Sequence, residues 1–331
     1  MSANGGKTSA SASSGPIGER VAVVVATIGR PTVLDRCLGR IRDGSLQPDE
    51  LIVVDQSPSP ETARAVAAVC AAHDARVVHL DEANASAARN TGAVVSRCAL
   101  VAFTDDDCLA RPGWLAALRD AYRRHAAVEP VAAVAGSILT ASWEGGSVPV
   151  SSRSDPVGRV FRLPVAGTAA SWAPWDAGSG GNLLVPVTTL LAAGGFDPRL
   201  GPGSAARAAE DIDLLRRVAC HGAIVYEPAA IVEHLARTRQ SRVRSRHAYG
   251  IGMGAMCAAA RRPGATGSDL LERYLRHVGR EAFRKGPWGP LETWLTLVGI
   301  ATGLWVRLGQ RNRDRDAPAQ PVAGADTGSQ G

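Results

Sequence analysis

Aromatic residues make up only 5% of this 331-residue chain, too few to interleave stacking rings with cations. Nucleic acid therefore ranks last among the partners its charge suggests, and none is expected. The six cysteines, Cys37, Cys70, Cys98, Cys108, Cys220 and Cys257, lie far apart and form no CxxC pair. Neither a structural zinc site nor a disulfide framework follows from that spacing, and reduced thiols in a cytoplasm are expected. The chain also lacks an apolar run of the ~20 residues that a bilayer span needs. Its strongest candidate, "LETWLTLVGIATGLWVRL" at 291–308, includes Glu292 and two glycines. The opening "MSANGGKTSASASSGPIGER" has no apolar core of signal-peptide length and reads as a disordered leader over residues 1–19.

What is present is a composition that folds. Hydrophobic residues are 45% of the chain, enough to fill a sizeable core, and the net charge of +6 with pI near 9.3 suits an anionic ligand or an anionic membrane surface. Between Val21 and Val101, β-branched runs ("VAVVVAT", "LIVVDQS", "ARVVHL", "ALVAFTD") alternate with helical patterns, the first opened by Pro31 and stopped by Gly44. Strands that read as continuous apolar runs are buried on both faces. The expected fold is α/β: a mostly parallel, Rossmann-like sheet flanked by helices, with a C-terminal helical extension. Ligands of such sheets bind beyond the carboxyl ends of the strands, where Thr27, Asp55 and Asp105–Asp107 fall.

Residues 141–182 are rich in Gly, Ser and Pro and carry Trp143, Trp172 and Trp175, which suits a ligand-facing loop segment. "EDIDLLRRV" opens a helix at Glu210, and "AIVYEPAAIVEH" supplies another strand. Beyond Arg237 the chain turns basic. The expected division is an α/β unit at 20–235, split into two halves, 20–135 and 136–235. A basic, helical extension (236–311) and a disordered tail (312–331) follow. Trp288, Trp294 and Trp305 leave two readings of that extension open: docking on a membrane surface, at the inner face of a cytoplasmic membrane, or packing on protein.

The sharpest feature is "FTDDDC", three adjacent carboxylates that repel one another and raise each other's pKa unless a cation or several donors face them. Aspartates also end strands and favour helix N-termini, but three at the carboxyl edge of a sheet point to a site.

The serial order of "VVVATIGRP", "LIVVDQS", "NASAARNTGA", "FTDDD", "GGFDPRLGPG" and "AEDIDLL" resembles glycosyltransferase family 2, whose members have the GT-A fold and use nucleotide sugars. The resemblance runs over roughly residues 20–235 and implies a site residue by residue. Asp105 and Asp107 match the DxD aspartates that hold a divalent cation, Mn²⁺ or Mg²⁺, with His234 as a third ligand. Thr27, Arg30, Asp55, Arg89 and Asn90, with Asp105 and Asp106, fall among the nucleotide-sugar contacts. Asp211 matches the general base, with Glu210 orienting the acceptor. Gly180, Gly181 and Asn182 match the acceptor side. Gln56 stands where many members carry a second Asp, and "ATIGR" departs from the usual "PTYNR", so the base is left open. The implied activity is inverting, metal-dependent sugar transfer from a nucleoside-diphosphate sugar to a hydroxyl-bearing acceptor. Two alternatives remain at this stage: a catalytically silent nucleotide-sugar-binding module, and a nucleotidyltransferase, against which the chain lacks a Gly-rich basic loop after its first strand.

Overall fold

A computed structural model describes residues 20–141, 154–164, 171–260, 269–284 and 289–316, with side chains to residues 282 and 306 in the last two stretches. Trp143 and Trp288 lie outside the described residues. Strands β1 (Val21–Thr27), β2 (Glu50–Asp55), β3 (Arg76–His79) and β4 (Leu100–Asp105) pair in parallel, in the order β3-β2-β1-β4. Alternate residues of β1 go to opposite faces, as the strand period of two demands. Val21, Val23 and Val25 pack with Leu34 and Leu38, while Ala22 and Val24 pack with Ile52, Val54 and Phe103. Helices α1 (Pro31–Arg42), α2 (Pro60–Ala72) and α3 (Ala85–Val95) make the crossovers. Pro31 opens α1, Ser59 caps α2 by accepting from Thr62 N, and Asn84 caps α3 by accepting from Ala87 N.

Then come β5 (Cys108–Ala110), α4 (Trp114–Ala126), β6 (Val131–Ala141), β7 (Arg159–Phe161), α5 (Pro174–Ala177), β8 (Asn182–Pro186), α6 (Val187–Ala192), α7 (Glu210–Val218) and β9 (Ala223–Leu235). The sheet order is β3-β2-β1-β4-β8-β6-β9-β5, with β7 also on β9. The parallel expectation describes its first half; the second half is mixed. β8 runs antiparallel to β4 and β6, and β5 antiparallel to β9, while β6 and β9 are parallel. A parallel β8 would need a crossover of a dozen or more residues, usually helical, ahead of it. Among the described residues of 142–181 only the single turn of α5 is helical, and the chain enters β8 from the opposite end.

The C-terminal helices are α8 (Arg239–Ala260), α9 (Leu270–Arg284) and α10 (Gly289–Asp316). α8 and α10 approach backbone to backbone. A Cβ on Gly250, Gly254, Gly299 or Gly303 would come within 2.3 Å of a main-chain oxygen of the facing helix, so the i,i+4 glycines on each helix let the two pack at close range. α8 is tied to the sheet domain in the same way, since a Cβ on Gly252 would meet Ala208 O at 2.4 Å. Among the described residues no helix is long and apolar enough to cross a membrane.

Candidate active site

The fold gives the three adjacent aspartates three different environments. Asp106 is 1% exposed and accepts from Thr27 Oγ1 at 2.6 Å, from Arg30 Nε at 3.1 Å and from Arg30 Nη2. Burial pushes its carboxyl up to about 6, against the pull of Arg30 and Thr27. Thr27, Arg30 and Asp106 thus tie the end of β1 to the turn after β4. Asp105 accepts from Arg89 Nη2 at 2.7 Å. Burial works to raise its carboxyl, but Arg89, with His234 and Arg30 beyond, holds it below the usual carboxylate range. Arg89 is itself buried; its Nη1 donates to Glu210 Oε1 at 2.9 Å, its guanidinium sits 5.4 Å from the Phe196 ring centroid, and its Nε has no hydrogen-bond partner among the described residues. One arginine therefore joins the acidic turn after β4 to the start of α7.

Asp107 accepts from Arg30 Nη1 at 3.4 Å through Oδ2, while its Oδ1 lies toward β9. Pairing of β5 with β9 sets Cys108 opposite His234, and ligand atoms of Asp107, Cys108 and His234 lie within 4.8 Å of one another. The His234 Nδ1 lies 2.8 Å from Leu235 O. With Nδ1 donating there, Nε2 is the ring nitrogen left to accept, 3.4 Å from Asp107 Oδ1 and 3.3 Å from Arg237 Nη2. A carboxylate oxygen and an imidazole nitrogen at that separation are ligand types a divalent ion takes, so Asp107 and His234 fit one. Burial, with Asp105 and Asp107 nearby, pushes the Cys108 thiol well above its ordinary value and keeps it protonated. Asp105, its Oδ1 taken by Arg89, is not one of the three.

At the start of α7 the chain is strained: Ala209, just before the helix, has φ +71°, a left-handed conformation costly for a residue with a Cβ. It delivers two carboxylates with different surroundings. Glu210 is buried against Arg89; burial first, then Asp211, raise its carboxyl to about 7 while Arg89 pulls it down. Asp211 Oδ2 accepts from Gly180 N at 2.9 Å and Ser179 Oγ at 3.1 Å, and its Oδ1 from Ile212 N at 2.8 Å. Gly180 and Gly181 pass close behind the carboxylates; a Cβ on Gly181 would stand 2.8 Å from Asp105 Oδ2.

Other sequence-selected residues have partners within the fold. Asp55 is buried and accepts from Ser57 N at 2.9 Å, with His79 Nδ1 at 3.3 Å from its other oxygen. Asn90 uses both ends of its amide on the Phe196 backbone, each at 2.8 Å, and so holds the loop after α6. Asn182 likewise donates to Ser137 O and Ala230 O and accepts from Trp114 Nε1. Ser179, His79 and Cys108 were not singled out from sequence as site residues. Arg237, noted there only within a basic run, has its Nη2 3.3 Å from His234 Nε2. Ser179 reaches Asp211 across 32 positions and His79 reaches Asp55 across 24, whereas Cys108 follows Asp107 and Arg237 stands three residues after His234.

Residues 22–167 match the sequence profile of Glycosyl transferase family 2. The pre-mycofactocin glycosyltransferase of Mycobacterium tuberculosis is 30% identical over 300 residues, which cover 88% of this chain and 55% of that protein. The chain thus spans about half the length of the curated relatives it matches. Residues 1–349 of S. aureus TarS superpose with a TM-score of 0.53 at 13% identity, covering 89% of this chain and 92% of that one. The mannosyltransferase PcManGT of Pyrobaculum calidifontis, in complex with GDP-Man and Mn²⁺, gives 0.51 at 17% identity over 91% and 76% of the two chains. At such identity the likeness is one of fold, and the fold is of the GT-A type. Residues 22–167, set in that fold, form a glycosyl transferase family 2 domain.

Proposed function

We propose that the chain is an inverting, metal-dependent glycosyltransferase that moves a sugar from a nucleoside-diphosphate sugar to a hydroxyl-bearing acceptor. The observation that carries this reading is the placing of a cation-fitting pair, Asp107 and His234, and a donor-held carboxylate, Asp211, around one sheet edge. A divalent cation bound by Asp107 and His234 would draw off the charge that develops on the departing diphosphate. A carboxylate suits Mg²⁺ or Mn²⁺, and an imidazole nitrogen prefers a transition metal, so Mn²⁺ is the better of the two. PcManGT, in complex with GDP-Man and Mn²⁺, is a relative in fold that supports the same pairing of donor and ion.

Asp55 lies at the end of β2, where its carboxylate would accept from the N3–H of uracil or from the donors of guanine. Arg89, which holds Asp105 through Nη2 and whose Nε has no partner among the described residues, would donate to a sugar or phosphate oxygen. Asp211 takes the proton of the acceptor hydroxyl, and Glu210, locked to Arg89, sets the start of α7 that aims it. Residues 20–135 serve the donor and residues 136–235 the acceptor. All six cysteines are free, which suits a reducing cytoplasm.

Water replaces the acceptor in slow donor hydrolysis, so the stereochemistry is open to test without knowing the acceptor. Proton NMR of the first-formed free sugar is expected to show the anomer opposite to that of the donor. Release of the same anomer would remove the single-displacement reading.

A further inference from the structure

We propose that the outer face of α10 seats in the headgroup region of an anionic lipid bilayer, with the helix lying in the plane of the surface. Leu291, Trp294, Leu297, Val298, Ala301 and Trp305 are all exposed, and Trp294 and Trp305 are 60% and 75% exposed. No charged residue is exposed between 289 and 306. The one charged residue in that stretch, Glu292, is buried on the opposite side, 2.8 Å from Arg242 Nε and 3.1 Å from Arg246 Nε of α8. The usual arrangement of a helix in water is inverted: the ion pair and the glycines face the protein, and the tryptophans face outward. Such a continuous apolar face marks an interaction site.

Charge selects lipid over a second copy of the chain. Residues 236–316 carry sixteen Lys and Arg against six Asp and Glu, an excess larger than the +6 of the whole chain, so the remainder is net acidic. Two copies meeting through α10 would bring these cations together, whereas an anionic surface would neutralise them. Arg276 and Arg280 of α9, which packs against α10, are exposed. Trp294 and Trp305 lie about 16 Å apart along the helix at ~1.5 Å per residue, too short for a span and suited to anchoring two points of an in-plane helix at the depth tryptophan prefers. The proposal stands independently of the sugar-transfer reading.

The test is co-sedimentation of the full chain with phosphatidylcholine vesicles, with and without phosphatidylglycerol, and again with dibrominated phosphatidylcholine to quench tryptophan. Pelleting on the anionic vesicles is expected to exceed that on neutral ones by about tenfold or more, with quenching of the native chain. Trp294→Glu with Trp305→Glu, matched to the native chain by circular dichroism, is expected to lose both signals. The proposal is overturned if the native chain stays in the supernatant with anionic vesicles and shows no quenching. It is equally overturned if the double variant pellets unchanged, or if light scattering shows a dimer that the double variant alone dissolves.

Discussion

Asp107→Ala is expected to lower cation-dependent nucleotide release by about 10² to 10³-fold, the loss of several kcal/mol of charge stabilisation at about 1.4 kcal/mol per decade. The argument is one of position. Asp107 and His234 offer a carboxylate oxygen and an imidazole nitrogen 3.4 Å apart, which suits a cation, and the strand pairing that joins them does not depend on the Asp107 side chain. The variant therefore keeps its fold and unfolding midpoint while its response to Mn²⁺ flattens. Asp106→Ala gives the opposite pattern. Its carboxylate is buried and satisfies Thr27 Oγ1 and the Arg30 guanidinium. Removing it leaves the buried Thr27 hydroxyl unsatisfied and Arg30 with Asp107 alone, at about 1–3 kcal/mol of stability. Two adjacent aspartates thus separate by denaturation and by Mn²⁺ titration. Equal Mn²⁺ responses in native and Asp107→Ala protein would mean that the ion sits elsewhere.

Asp211→Asn is expected to reduce kcat by about 10² to 10⁴-fold, the usual worth of a positioned general base, with donor affinity unchanged. Three donors, Gly180 N, Ser179 Oγ and Ile212 N, hold the carboxylate in one orientation. Asparagine keeps its shape but cannot take the proton. Glu210 is a weaker candidate for that role because Arg89 already occupies Oε1 and the side chain is buried. Glu210→Gln is the contrast: it disturbs the Arg89 bridge rather than the proton transfer. If Asp211→Asn instead weakened donor binding by the same factor as kcat, Asp211 would be a binding residue and the base would lie elsewhere.

Much of the fold was legible because β1, β2 and β4 are buried on both faces and therefore appear as unbroken apolar runs, while Pro31 marks the start of the first helix. The antiparallel turn of the sheet was not, since nothing local in "NLLVP" says which way β8 runs beside β4. The same limit applies within the site. That Asp105–Asp107 are candidates for a site followed from their repulsion and their place at a sheet edge, but their division among Arg89, Arg30 and His234 depends on contacts 16, 76 and 127 positions apart in sequence. Cys108 entered the site through β5, a strand of three residues that carries too little pattern to be read in advance. Asn90 and Asn182, selected by resemblance, hold backbone loops in place; an amide side chain satisfies main-chain groups as readily as a ligand, and sequence does not separate the two uses.

The central claim is cation-dependent turnover of a nucleotide sugar, and the direct measurement is nucleotide release by the native chain from UDP, GDP and dTDP sugars, with Mn²⁺, with Mg²⁺ and with chelator. The account predicts release from at least one donor, faster with Mn²⁺ than with Mg²⁺ and abolished by the chelator. Binding of a nucleotide sugar without release under any of these conditions, or release that the chelator leaves untouched, would contradict it.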